Sequence, residues 1–155
     1  MNAELKHLQR FEATWRETLE KNAEVQFELQ MLPSSSGSFT EIADRFVQSI
    51  GLETIESRWK KLDDKSGNGA QQSAAATFVD ALSNDMVFSN SDWLGEKKAR
   101  QCGQDFVDCF KPHPRTILTN REGSGWNPIS TATFEWAFVG FDDRKIALLL
   151  LMAED

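Results

Sequence analysis

Near its end the chain reads "IALLLLMAED", eight consecutive apolar residues from Ile146 to Ala153 followed by two acids. Side chains alternate across a strand, so an extended run of this kind is apolar on both faces. Such a strand has to be covered on both faces, which places it inside a sheet between packed layers. Left at a wet edge it would be an aggregation site. Glu154 and Asp155 then serve as solvating gatekeepers for its end. A membrane-spanning helix needs about 20 apolar residues, so the run is too short to be one.

The segment before it, "TATFEWAFVGF", alternates. Phe134, Trp136 and Phe138 point one way; Thr133, Glu135 and Ala137 point the other. Glu135 is therefore either on a solvent-facing row or a buried carboxylate, and the alternation favours the first. "DDRK" turns the chain, giving a hairpin with a four-residue loop. Upstream, "RTILTN" reads as a short strand and "GSGWNP" as a turn-rich loop.

The first two-thirds read mostly as helix. Leu5, Leu8, Phe11, Trp15 and Leu19 recur at helical spacing, predicting an amphipathic helix over about 2–22. In "AEVQFELQML", Val25, Phe27, Leu29 and Met31 alternate with Glu24, Gln26, Glu28 and Gln30, which reads as a half-buried strand over 24–32. Those residue types also favour helix and nothing breaks the chain at Asn22, so a continued helix is the alternative. Ser38 and Glu41 form a capping box before an apolar face of Phe39, Ile42, Ala43, Phe46, Val47 and Ile50, and Gly51 ends that helix. A short helix is expected over about 52–62, another over "AAATFVDALSNDMVF", and a third, capped by Ser91 or Asp92, to about Phe110. The fold class that follows is α+β: a helical N-terminal two-thirds, then an antiparallel hairpin or meander sheet with a buried C-terminal strand. At 155 residues the chain suits one domain, with a flexible loop at about 63–73, "DDKSGNGAQQS".

A net charge of −7 argues against nucleic acid and anionic membranes and favours either plain solubility or a basic partner. The excess sits in the middle: residues 63–110 hold eight acids and four bases, whereas residues 1–62 hold ten and eight. The candidate contacts are Asp63, Asp64, Asp85, Asp92 and Glu96, with Trp93 and Trp126 either loop-borne aromatic anchors or packed over the bases of their own loops.

Reactive constellations are sparse. Cys102, Cys109 and His113 give C-x6-C-x3-H, which lacks the paired spacing and fourth ligand of a zinc site. The two thiols read as core residues on one helical face, His113 as a loop residue between prolines, and His7 lies far off in sequence. Two free thiols and an N-terminus, "MNAELKHLQRF", with no apolar stretch lead to a cytoplasmic expectation. "KSGNG" and "REGSG" lack phosphate-loop spacing, and Asp143-Arg144-Lys145 sits in a turn. No catalytic residue, metal or cofactor is therefore expected.

The stretch "GWNPISTATFEWAFVGFDDRKIALLLLMAED", a loop, hairpin and acidic end, resembles the C-termini of some bacterial toxin-neutralising immunity proteins. The resemblance covers about a fifth of the chain and transfers no binding residue. It implies a small acidic cytosolic domain that caps a basic toxin. A secretion chaperone or adaptor is the alternative. An enzyme using Glu135, His113 and the Asp63-Asp64 or Asp142-Asp143 pairs comes third.

Overall fold

The computed structural model describes residues 3–32, 36–64 and 73–155. The centre of the expected loop, 65–72, lies outside the described residues, while Asp63, Asp64 and Ser73 are within them. The elements in chain order are α1 (Lys6–Leu19), β1 (Glu24–Met31), α2 (Phe39–Ser49), β2 (Lys60–Leu62), α3 (Ala74–Leu82) and α4 (Gly95–Val107). Then come β3 (Thr116–Thr119), β4 (Arg121–Glu122), β5 (Gly125–Trp126), β6 (Phe134–Phe141) and β7 (Lys145–Ala153). The architecture is α+β. One antiparallel sheet runs β1-β7-β6-β3-β2, and β4 with β5 forms a small ribbon. No helix among the described residues is long and apolar enough to cross a membrane.

The apolar run is β7, which lies inside the sheet between β1 and β6. Ala147, Leu149 and Leu151 join the core beneath α1, α3 and α4. Ile146, Leu148 and Leu150 join a second core beneath α2. Helices thus cover both faces of the sheet, as a strand apolar on both sides demands. On the first face Phe78 stacks on Phe138 with centroids 4.0 Å apart, linking α3 to the sheet. Gly103 lets α4 approach α3, since a Cβ there would lie 2.8 Å from Phe78.

Three local expectations are corrected. Residues 52–62 form no helix: a 3-10 turn, Glu56–Arg58, leads into β2. The cause is Asp44 of α2, whose carboxylate accepts the amides of Ile55 and Glu56 and the indole N–H of Trp59 at 2.8–3.1 Å. Amides that would seed a helix are taken by a side chain, and β2 pairs with β3 instead. β1 and β2 therefore bring sheet strands into the expected helical two-thirds. Next, α3 stops at Leu82, and neither Ser91 nor Asp92 caps α4, which starts at Gly95. Residues 83–94 form a separate loop closed on itself, with Trp93 N–H donating to Ser83 O and Leu94 N–H to Leu82 O. Finally, the supposedly polar face of β6 is buried, because Ala137, Val139 and Phe141 lie beneath α2.

The hairpin loop is not a solvated turn throughout. Asp142 is 2% exposed and holds Lys145 Nζ at 2.8 Å. It also accepts the amides of Lys111, Arg144 and Lys145. Burial raises its pKa, but these four donors outweigh that and hold it below the ordinary aspartate value. A depressed carboxylate adds stability above its unfolded pKa of about 4, which is lost as pH falls through its folded value. Asp142→Asn should therefore be clearly less stable than wild type in urea at neutral pH. The gap should shrink as the pH drops below the ordinary aspartate range; a gap constant from neutral to strongly acid pH would contradict it.

Candidate functional site

The pairings define two ends of the sheet. At one, β7 finishes beside the start of β1, with Glu24 opposite Met152, and the start of β6, with Phe134 opposite Ala153. The other carries the hairpin, beside the start of β3 and the end of β2. These two ends divide the residues singled out from sequence.

Asp63 and Asp64 follow β2 at the hairpin end. Asp64 is committed there to Arg115 at 2.7 Å, a half-buried ion pair. Glu96 and Asp92 lie at the start of α4, whose 13 residues extend about 20 Å toward the hairpin end. The acidic middle of the sequence is thus two separate patches. Asp85, Asp92, Trp93, Glu96 and Trp126 belong to the β7-exit end, but in different capacities. Asp92 and Glu96 are exposed. Trp93 is half-buried against the helical-face core. Trp126 stands edge-on to Trp136, centroids 5.4 Å apart, and tilted on Phe134.

Asp85 organises the loop at 83–94. Its carboxylate accepts the amides of Val87 and Phe88 and the side-chain amide of Asn22, the last at 2.7 Å. The Phe88 amide, then Asn22, then the Val87 amide keep its pKa below the ordinary value against desolvation. Ser91 N–H donates to Phe88 O and Asp85 N–H to Ser91 O, closing the tip. The result holds Phe88 out in water at 69% exposure, the one exposed large hydrophobic among the described residues. Sequence reasoning missed it by running α3 through "SNDMVF". The available signal was an apolar triplet set among Ser, Asn and Asp, which are turn formers.

Beside this loop, Asn22 also lines a cleft of about 680 Å³ on the α2 face of the sheet. Its walls are the start of β1, the turn after α2, residues 129–132 and the end of β7. Glu24, Glu53 and Glu154 line it, and no Lys, Arg or His does. Glu154 is held below the ordinary glutamate value by the amide, then the hydroxyl, of Thr133, so it is ionised at neutral pH. Under the cleft sits Glu135, fully buried rather than on a wet row. One of its oxygens accepts Asn120 Nδ2 and the Ile129 amide, the other the amide and hydroxyl of Ser130. Both oxygens are engaged, so this carboxylate clamps the 129–132 wall rather than facing a substrate.

The thiols are buried and unpaired. Burial and Asp105 push Cys102 well above the usual thiol value and Cys109 up to about 12. Neither is a thiolate near neutral pH. Packing of α1 on α4 does bring His7 to Cys109, but it presents a main-chain carbonyl that accepts the thiol. Among the described residues no three of His, Cys, Asp and Glu are grouped to hold a metal ion. Asp143 pairs with Lys111 at 3.5 Å, and Lys145 turns inward to Asp142, which takes the D-x-K sequence apart.

No protein-family model matches this chain, and no curated protein or solved structure matches it.

Proposed function

We propose that this protein binds a basic protein partner through the β7-exit end of its sheet and caps it, as an immunity-type inhibitor of a toxin does. The observation that carries this reading is Phe88, held in water at 69% exposure by a loop whose own hydrogen bonds fix its main chain. Exposed aromatic surface costs free energy in the unbound protein, and a prearranged aromatic loses little entropy on docking. An aromatic that fills a partner's pocket is the usual centre of an interface hot spot. The exposed acids Asp92 and Glu96 nearby, and the uncompensated carboxylates of the cleft, complement a cationic surface. Two buried, unpaired thiols suit work in a reducing cytoplasm.

The test uses the protein immobilised in wild-type and Phe88→Ala forms, with the partner isolated from the native host. The captured protein should be basic, harmful when expressed alone and harmless when co-expressed with this chain. Phe88→Ala should weaken binding by about 2 kcal/mol, roughly 30-fold, mostly through faster dissociation. Its urea midpoint should stay at the wild-type value, because the side chain has little packing to lose. Reversing Asp92, Glu96 and Glu53 to Lys should slow association and flatten its salt dependence. Asp64 and Asp85 are unsuitable for charge reversal, since both hold the fold. An acidic partner, or unchanged affinity in Phe88→Ala, would end this reading.

A further inference from the structure

We propose that the outer edge of β1 takes an extended segment of a basic partner by strand addition, with cationic and apolar side chains alternating along that segment. The inference rests on the binding reading above and names the chemistry of what is bound. Sheet order leaves β1 at one edge and the three-residue β2 at the other. β1 has eight residues, about 26 Å of edge.

The direction of its main-chain groups follows from the ladder. Leu32 N–H donates to Arg144 O, and Gln30, Glu28 and Gln26 lie opposite Ile146, Leu148 and Leu150. Antiparallel pairs alternate between bonded and non-bonded positions. The even-numbered residues of β1 therefore bond β7, and Val25, Phe27, Leu29 and Met31 direct N–H and C=O away from the sheet. Arg16 Nη1 covers Val25 O at 2.9 Å. Phe27 and Leu29 have no main-chain hydrogen bond to any other described segment.

Natural edges are commonly blocked by proline, lysine or a bulge. β1 has no proline or lysine, and its register with β7 is unbroken. Its charges are Glu24 and Glu28, both on the α2 face of the sheet. Residues opposite one another on paired strands share a face. A strand added to β1 would set every second side chain beside Glu24, Gln26, Glu28 and Gln30. Long cations there would reach toward the cleft, which Glu24 and Gln26 wall and Glu53 and Glu154 complete. The intervening side chains would lie beside half-buried Leu29 and Met31. Because Asn22 both lines the cleft and bonds Asp85, the rim of the cleft meets the base of the Phe88 loop at the β7-exit end.

A second copy of the chain suits the edge poorly. Pairing Phe27 with Leu29 would oppose Glu28 to Glu28, and pairing Val25 with Phe27 would oppose Glu24 to Glu28, whereas pairing Phe27 with Phe27 sets the glutamates against Gln26 and Gln30 and leaves only the charge of the whole chains to oppose it. Each copy also carries a net charge of −7.

The experiment uses an end-blocked eight-residue peptide alternating Lys and Val, and its isomer with four Lys followed by four Val. Amide hydrogen exchange is read residue by residue on the full chain. The alternating peptide should slow exchange at Phe27 and Leu29 by about tenfold or more, and the isomer should not. Leu29→Pro removes an outward donor without breaking the β7 ladder and should abolish that protection. Glu28→Lys, which leaves the backbone alone, should weaken peptide binding about tenfold. Equal protection by the isomer, binding without protection at Phe27 and Leu29, or a dimer in sedimentation that already protects them would overturn the proposal. The two readings are measured separately, the edge by peptide protection of Phe27 and Leu29 in the wild-type chain and the loop by the partner's affinity for Phe88→Ala. If the peptide fails while Phe88→Ala still weakens the partner, strand addition alone falls. If the peptide protects the edge while Phe88→Ala leaves the partner's affinity intact, the loop reading alone falls.

Discussion

Leu149→Ala and Leu150→Ala should each destabilise the protein by about 2–5 kcal/mol, the cost of a large cavity in a packed core. The two residues are neighbours in sequence, yet they occupy different cores. Leu149 lies beneath α1, α3 and α4, and Leu150 beneath α2. Each is at most 1% exposed. On an ordinary half-buried strand one of an adjacent pair faces water and tolerates truncation. Here both should lower the urea midpoint strongly, without a change in slope. A midpoint unmoved in either variant would contradict burial on that face.

Glu135→Leu should cost about 3 kcal/mol or more, because each buried donor left without an acceptor costs about 1–3 kcal/mol. The carboxylate accepts four hydrogen bonds, from Asn120, Ile129 and Ser130. Leucine matches much of the volume but leaves the Ile129 and Ser130 amides orphaned. Glu135→Gln should be milder, since it keeps one oxygen, though its NH₂ group then faces donors. Exchange at the Ile129 and Ser130 amides should quicken in both variants. A Glu135→Leu protein as stable as wild type would mean that the 129–132 wall is held by something else.

How far these features were legible depends on the range of the interactions behind them. The two-sided burial of β7 was readable because eight apolar residues leave no polar row to face water. The strand at β1 was readable from period two, and the Ser38–Glu41 capping box needs only four consecutive residues. β6 was misread because Glu135 occupies a row otherwise filled by Ala137, Val139 and Phe141. One carboxylate made that row look wet, while its donors come from two loops. The expected helix at 52–62 failed for the same reason, since Asp44 lies outside the window that periodicity inspects. The acidic middle proved to be two patches because α4 separates its ends, which a count of charges along the chain does not register. The cleft was invisible, being walled by four segments far apart in sequence.

The placement of β7 between β1 and β6 also sets an order of events during synthesis. β1 has no partner in the sheet until β7 has been made, more than a hundred residues later, since Met31 pairs with Lys145 and Glu24 with Met152. At about 5–20 residues per second, that leaves β1 open on both edges for about 6–24 s. During that interval α1 can cover Val25 and Phe27 on one face, but neither edge of the strand has a ladder partner. Pairings this distant in sequence are slow to close and leave strand edges exposed to other chains. The glutamates along β1 are then in place before the sheet exists, and in the registers that set Glu28 against Glu28 or Glu24 their repulsion opposes pairing of nascent copies through the strand that waits longest.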